Sequence, residues 1–266
     1  SDVCSSDLTV DVPDTPVDTA EDTVEDAEPD EGPGECPPDD STHLYIYVEG
    51  VVRGMVTGTP REDLYVAAVD PNDVMDNPTS PPILGQDVTL SDGSFDLGCI
   101  NVKNVGLGLI LLVDDNPRDG DSGLIFPTAV LAEIWFTDSD KHDIRDMSIY
   151  PLSNTLNGSL LVGQMGLDPA TDGVVMGFVS DTNTHERLNG ATVDRTTLSV
   201  DVEYPNADFT GVESDGDTSV RGCFVVTESL TMASLTAQVT GYTFDNYFAS
   251  TVDGVCLFVL MEGRPI

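Results

Sequence analysis

Oxygen-bearing side chains are most concentrated between Asp114 and Gly123, where the chain reads Asp-Asp-Asn-Pro-Arg-Asp-Gly-Asp-Ser-Gly. Carboxylate and amide oxygens on a glycine-containing turn are ligands that suit Ca²⁺. If this loop binds Ca²⁺, we expect the ligands to be Asp115, Asn116, Asp119 and Asp121. The spacing is not that of an EF-hand, because Pro117 and Phe126 hold the third and twelfth positions counted from Asp115. A solvated acidic turn between two strands is the alternative interpretation.

Cysteine is the second residue type that could do chemistry here. Setting Cys4 aside, the remaining cysteines are Cys36, Cys99, Cys223 and Cys256. An even number in an exported chain favours disulfides, and four cysteines allow three connectivities. An internal repeat, described below, favours one bridge in each copy. It pairs Cys36 with Cys99, and it pairs Cys223 with Cys256. Zinc is the alternative, but the sequence has no Cys-x-x-Cys pair and its histidines are scattered.

No motif in the sequence has the spacing of a known catalytic site. His43, His142 and His185 each lie among polar loop residues. A catalytic histidine needs a nucleophile and an orienting acid, and we find no Gly-x-Ser-x-Gly, phosphate loop or His-Glu-x-x-His. Two carboxylates can hydrolyse glycosides, but with 48 Asp and Glu any chosen pair is uninformative. We therefore expect no catalytic residues and no enzyme activity.

The charge of the chain restricts its partners. Lys and Arg total 10 against 48 Asp and Glu, so the formal net charge is -38 over 266 residues. Nucleic acids and anionic lipids repel such a chain. We expect carbohydrate or another surface protein as partner, and no nucleic acid. No apolar run has the length of a membrane-spanning helix, so we expect membrane contact only through a lipid anchor missing from this sequence.

The composition of the N-terminal region predicts that it has no folded structure. Residues 1–8, Ser-Asp-Val-Cys-Ser-Ser-Asp-Leu, resemble the translation of a common sequencing adaptor, and we interpret them as an assembly artefact. Residues 9–42 are acidic, rich in Pro and Thr, and contain no basic or aromatic residue. Such a segment cannot bury enough apolar surface to offset the entropy of ordering. We expect a disordered stalk, similar to those that follow the lipidated cysteine of bacterial surface lipoproteins.

An internal repeat organises the remaining chain. Gly173-Val-Val-Met-Gly-Phe-Val-Ser-Asp-Thr182 echoes Gly50-Val-Val-Arg-Gly-Met-Val-Thr-Gly-Thr59. The same distance leads from each to an Asp-Gly turn, and a Gly-Cys pair follows each turn. These pairs are Asp92-Gly93 and Gly98-Cys99 in the first copy, and Asp215-Gly216 and Gly222-Cys223 in the second. Spacing repeated in this way indicates a duplicated unit.

Short runs of β-branched and aromatic residues separated by turn residues indicate strands in both copies. The sequence therefore predicts an all-β protein of two tandem antiparallel β-sandwich domains, 43–152 and 169–266. Residues 153–168 form the linker between them. Within it, Leu156, Leu160, Leu161 and Met165 have helical spacing, and Ser153 or Asn154 is a candidate cap.

The second copy also resembles a known family. Its Gly-x-Val stretch is followed by Leu188-Asn-Gly-Ala-Thr-Val193, by Ser214-Asp-Gly216, and by Thr236-Ala-Gln-Val-Thr-Gly-Tyr242. This order resembles the carboxypeptidase regulatory-like domain, a small transthyretin-like, immunoglobulin-like sandwich. The match is best over Gly173 to Phe244, and Gly50 to Val113 carries a looser version. The resemblance implies a non-catalytic module of an exported protein and brings no site residues.

Taken together, these features predict a structural or ligand-binding module of a bacterial cell-surface lipoprotein, at the outer membrane or cell surface. Its ligand would be carbohydrate, another surface protein or Ca²⁺. One alternative is a secreted hydrolase, or its accessory domain, with an acidic site. Another is a periplasmic carrier that holds a small ligand between the two sandwiches.

Overall fold

The computed structural model describes residues 35–77, 80–105, 108–116, 123–133, 136–137, 141–196, 200–213 and 216–266. Fifteen strands lie within these residues: β1 Tyr45–Val52, β2 Leu64–Val69, β3 Ile83–Val88, β4 Ser94–Asn101, β5 Leu109–Asp115, β6 Thr128–Glu133, β7 Ile144–Ile149, β8 Val174–Asp181, β9 Thr192–Arg195, β10 Val202–Glu203, β11 Cys223–Val226, β12 Ala233–Gln238, β13 Tyr242–Phe244, β14 Tyr247–Ala249 and β15 Cys256–Pro265. The helices are α1 Pro71–Asp76, α2 Asn154–Leu156, a π-helical segment Asn157–Met165, and α3 Pro169–Asp172. The all-β prediction is confirmed.

The strands form three sheets. The largest has nine strands in the order β10-β11-β8-β15-β6-β5-β2-β3, with β13 also paired to β15. Two three-stranded sheets, β4-β1-β7 and β14-β12-β9, complete the set. Most neighbours are antiparallel, but β15 runs parallel to both β8 and β6, and β7 runs parallel to β1.

Strand β8 is buried along its whole length, from Val174 to Asp181. Because side chains alternate between the two faces of a strand, this burial requires a packed layer on each side of the sheet. Val174, Met176 and Phe178 belong to one apolar core. Val175 and Val179, which point the other way, belong to a second.

Each core lies between the nine-stranded sheet and one of the small sheets. The first core unites Ile46 of β1 and Ile100 of β4 with Leu111 of β5 and Phe258 of β15. The second unites Leu235 of β12 and other side chains of the β14-β12-β9 sheet with residues of β8, β11 and β15. A smaller cluster packs Val74 of α1 against β2, β5 and β6.

The predicted division into domains 43–152 and 169–266 differs from the structure. Residues Gly34–Ile266 form one compact unit. The C-terminal strand joins the two halves, since β15 pairs in parallel with β6 of the first half and with β8 of the second. Local sequence patterns do not reveal such pairing, because parallel strands meet only through long crossover connections.

The two echoing stretches also occupy different places. Gly173–Thr182 includes all of β8, whereas Gly50–Thr59 covers only the end of β1 and the turns after it. The turn at Asp92-Gly93 is present, with the Gly93 amide donating to the Leu90 carbonyl at 2.8 Å. It connects β3 of the nine-stranded sheet to β4 of another sheet, so it is a corner between layers. Asp215 lies outside the described residues.

A helix does form between the two halves. The Ser153 hydroxyl accepts a hydrogen bond from the Leu156 amide at 3.2 Å, which caps the first turn. Leu156, Leu160 and Leu161 are buried in the first core. The helical spacing therefore predicted both the element and its buried face.

A substitution of Gly177, in the middle of β8, should destabilise the protein more than a substitution on the surface. A Cβ atom there would lie 1.9 Å from the Val259 carbonyl oxygen and 2.9 Å from the Phe224 ring. Backbone cannot move aside as a side chain can, so we expect Gly177→Ala to lower the free energy of unfolding by about 3 kcal/mol or more. Urea denaturation followed by circular dichroism measures the loss.

Gly158→Ala is the matched control. Gly158 is helical, and a Cβ there would meet no atom within 4 Å. Alanine favours helix over glycine by up to about 1 kcal/mol, so stability should stay level or rise. Equal stability of both variants would contradict the close packing of β8.

Candidate functional site

An acidic groove lies where β1, β3, β4 and β7 approach one another. Its volume is about 660 Å³. Four carboxylates line it: Glu49, Asp87, Asp96 and Asp146. Leu90, 64 % exposed, adds an apolar side chain. The groove is therefore suited to a cation or a basic segment and would repel an anion.

Most of these carboxylates already have partners within the protein. Asp96 accepts hydrogen bonds from the Tyr47 hydroxyl at 2.5 Å and from the Gly98 amide at 2.8 Å. Asp87 accepts one from the Asp96 amide at 2.8 Å. These bonds hold β3, β4 and β1 together at the groove, so part of the acidity serves the fold.

Arg145 crosses the same region. Its guanidinium group bonds to Glu49 at 3.1 Å and to Asp143 at 3.0 Å, and it stacks 4.6 Å from the centre of the Tyr47 ring. The hydrogen bond to Asp143 raises the pKa of Arg145 above its ordinary value. The hydrogen bond to Asp96, then burial and nearby negative charge, raise the pKa of Tyr47 to about 12.

A second polar cluster lies at the C-terminal end of β8. His185 Nδ1 lies 3.0 Å from Glu262 Oε1, which is how an acid orients a catalytic histidine. Ser180 is the cross-strand neighbour of Glu262. However, the Ser180 hydroxyl is buried and has no hydrogen-bond partner among the described residues, so it does not bond to His185. The three side chains are not assembled as a Ser-His-acid relay.

Asp181 and Arg187 make further contacts at this end of β8. The Asp181 carboxylate accepts hydrogen bonds from the Asn183 amide at 2.7 Å and the Tyr242 hydroxyl at 2.9 Å, and the first of these is the main cause of its lowered pKa. The Arg187 guanidinium stacks 3.8 Å from the centre of the Phe178 ring, and burial lowers its pKa. Sequence reasoning missed Glu262 as the partner of His185, because the two lie 77 residues apart.

The structure contains one of the two expected disulfides. Cys36 and Cys99 are bridged, with 5.4 Å between their Cα atoms. Cys223 and Cys256 are instead free, buried thiols, and burial raises the pKa of both. They lie on β11 and β15, which flank β8 on opposite sides. Strands two positions apart are separated by about 9.5 Å, whereas a disulfide needs Cα atoms within about 7 Å.

The expected calcium loop is only partly described. Asp115 is buried, and its carboxylate accepts a hydrogen bond from the Ile125 amide at 2.8 Å. The Asn116 amide group donates to Asp63 at 2.9 Å. Asp119 and Asp121 lie outside the described residues. Within the part of the chain that is described, no three His, Cys, Asp or Glu side chains are grouped to hold a metal, and the calcium hypothesis stays a prediction.

Comparisons with known proteins add little. No family model matches the chain, and no curated protein matches it, so the carboxypeptidase regulatory-like resemblance stays a prediction. Shaft pilin SpaA from Lactobacillus rhamnosus GG is 9% identical, with a TM-score of 0.27 over 84% of this chain and 98% of its own. The Bacillus anthracis TIE protein is 8% identical, with a TM-score of 0.26 over 83% of this chain and 34% of its own.

A streptococcal ancillary pilin is 14% identical, with a TM-score of 0.25 over 84% of this chain and 70% of its own. TM-scores this low do not establish a shared arrangement of strands, and we transfer no function from these proteins. Among the described residues, no helix is both long and apolar enough to cross a membrane.

The Tyr47–Asp96 hydrogen bond should set the alkaline titration of Tyr47. Asp96→Asn removes the negative charge and should lower the Tyr47 pKa from about 12 towards its ordinary value of 10.0. Because the Tyr47 pKa is raised in the folded state, the protonated hydroxyl stabilises the fold. This contribution to the free energy of unfolding is complete below pH 10.0 and is lost as the pH rises to about 12. Ultraviolet difference spectra against pH measure the shift, and Tyr47→Phe assigns the transition. An unchanged titration in Asp96→Asn would contradict the bond.

The calcium hypothesis predicts a higher melting temperature in millimolar Ca²⁺, because a ligand that binds only the folded state stabilises it. Asp119→Asn with Asp121→Asn should abolish the rise, whereas Asp201→Asn with Glu203→Gln, a charge-matched control on exposed residues of another region, should keep it. Differential scanning calorimetry measures both. No rise in the unaltered protein would dispose of the hypothesis.

Proposed function

We propose that this chain is a non-catalytic structural module of the cell exterior. The observation that carries the proposal is the Cys36–Cys99 disulfide, which fastens the residues preceding β1 to β4. Disulfides persist in oxidising compartments and are rare in the cytosol. The net charge of -38 supports a solvated, exposed location and disfavours contact with nucleic acid or anionic lipid.

The packing of the body supports a structural role. Two apolar cores share β8, and the nine-stranded sheet extends through both halves. Binding sites that open and close require elements of low local stability, whereas β8 is buried on both faces. A body of this kind is suited to presenting a fixed surface at the end of an acidic spacer. We also propose that this spacer is attached to a lipid anchor.

The alternatives have less support. The unbonded Ser180 hydroxyl disfavours hydrolysis by a Ser-His-acid mechanism at His185. A carrier with its ligand between two sandwiches requires two separate bodies, whereas residues Gly34–Ile266 form one. The acidic groove, which Asp146 helps to line, favours binding of a basic partner as a second function. Carbohydrate or another surface protein as the partner stays a prediction from the sequence.

The compartment can be tested on protein in its native cells. Intact cells are treated with a membrane-impermeant protease, and the protein is then alkylated without reduction and weighed. We expect cleavage by the external protease and two alkylated cysteines, Cys223 and Cys256, after denaturation. A cytoplasmic protein of known abundance, resistant to the protease, is the control for intact cells. Protection from protease together with alkylation of Cys36 and Cys99 would contradict the proposal.

A further inference from the structure

The segment Glu35–His43, which precedes β1, makes few contacts with the other residues that the structure describes. No side chain in it is fully buried, and only Cys36 and His43 are partly covered. The segment thus contributes nothing to either apolar core. The buried chain begins at Leu44, whose amide donates to the Asn101 side chain at 3.1 Å. Whatever holds Glu35–His43 in place must therefore be covalent or polar.

Within the described part of the chain, a few bonds join this segment to later residues. One is the Cys36–Cys99 disulfide. Another is the ion pair between Asp39 and Lys141, whose nitrogen and oxygen lie 2.5 Å apart. Asp39 also accepts a hydrogen bond from the Tyr45 amide at 2.9 Å, and the His43 ring stacks on the Tyr45 ring at 5.4 Å between centres.

The remaining polar bonds shape the segment without attaching it. Asp40 accepts hydrogen bonds from the Thr42 amide at 2.6 Å and the His43 amide at 2.8 Å, both within the segment. An exposed ion pair such as Asp39–Lys141 stabilises little, because water screens it and two long side chains must be ordered. Ordering each backbone residue costs more than such a pair returns. The disulfide is therefore the contact on which docking depends.

We propose that Glu35–His43 is a redox-controlled clasp, docked while Cys36 and Cys99 are bridged and released when the bridge is reduced. Both cysteines are partly exposed, so a small thiol reagent can reach them. The thiolate of a dithiol reductant attacks one sulfur and forms a mixed disulfide, and its second thiol then displaces the protein thiol. Two electrons and two protons pass to the protein, leaving two cysteine thiols and the oxidised reductant.

The body should stay folded after this reaction. Cys99 lies in β4, which pairs with β1 from Tyr45↔Asn101 to Val51↔Ser94. The apolar side chains of these strands, including Ile46 and Ile100, are buried in the first core, and we expect them to stay buried without the bridge. Cys223 and Cys256 are already free, so reduction changes nothing in the second half of the chain.

Release also has a chemical consequence at Lys141. The ammonium group of Lys141 is held by Asp39 and by the Tyr45 carbonyl at 3.1 Å. Undocking removes Asp39, so the amine should become more reactive towards acylating reagents. Lys103 is the only other lysine in the chain, and its charge also acts on Asp39.

The test is hydrogen exchange by mass spectrometry, with Lys141 acylation measured in parallel, on the whole chain with and without a phosphine reductant. We expect reduction to speed exchange in 36–45 at least tenfold and to raise the acylation rate of Lys141, with exchange in β8 and β15 unchanged. Cys36→Ser with Cys99→Ser should behave as the reduced protein in both conditions. Asp39→Asn, which keeps the bridge, should leave exchange in 36–45 within about threefold of the oxidised protein.

Two results of reduction would overturn the clasp, and so would one result with the Asp39→Asn variant. One is slow exchange in 36–45 that persists after complete reduction, which would mean that polar contacts suffice. The other is faster exchange in β4, β8 and β15 together with the segment, which would make the bridge a support of the whole body. Release of the segment by Asp39→Asn alone would likewise contradict the proposal. Each of these outcomes is independent of the compartment in which the protein resides.

Discussion

The structure depends on one strand that has no solvent-facing side. Every residue of β8 is buried, with alternate side chains in two separate cores. A strand in this position cannot be stable with only one sheet covering it, since apolar side chains on its other face would then lie in water. The β4-β1-β7 and β14-β12-β9 sheets are both needed for that reason. Close packing at Gly177, against the Val259 carbonyl and the Phe224 ring, follows from the same demand.

The same constraint explains where polar chemistry is allowed. At the end of β8, Asp181 meets hydrogen-bond donors and Arg187 meets aromatic rings, and these contacts compensate for the burial of their charges. The acidic groove, by contrast, lies beside β4, an edge strand of its sheet. Its carboxylates complete interstrand contacts there and leave a negative surface. The candidate functional features are thus at the margins of the body, and its centre serves stability.

Sequence reasoning predicted the features that depend on neighbouring residues. Strand composition gave the all-β class, and helical spacing with Ser153 as cap gave the element at Asn154–Met165. The pairing of Cys36 with Cys99 agrees with the structure. The predicted pairing of Cys223 with Cys256 does not, because it depended on a repeat whose two copies occupy different elements. The division into two domains failed for a related reason: parallel pairing of β15 with β6 and β8 joins residues far apart in sequence.

The most direct test of this account is native-state hydrogen exchange across a series of low denaturant concentrations. If β8 couples the two cores, buried amides of β2 and β5 in the first half and of β8 and β15 in the second should merge into a single opening reaction. They would then share one free energy and one dependence on denaturant. Two groups of amides, one for each half, that open with distinct free energies and never merge would contradict a shared central strand.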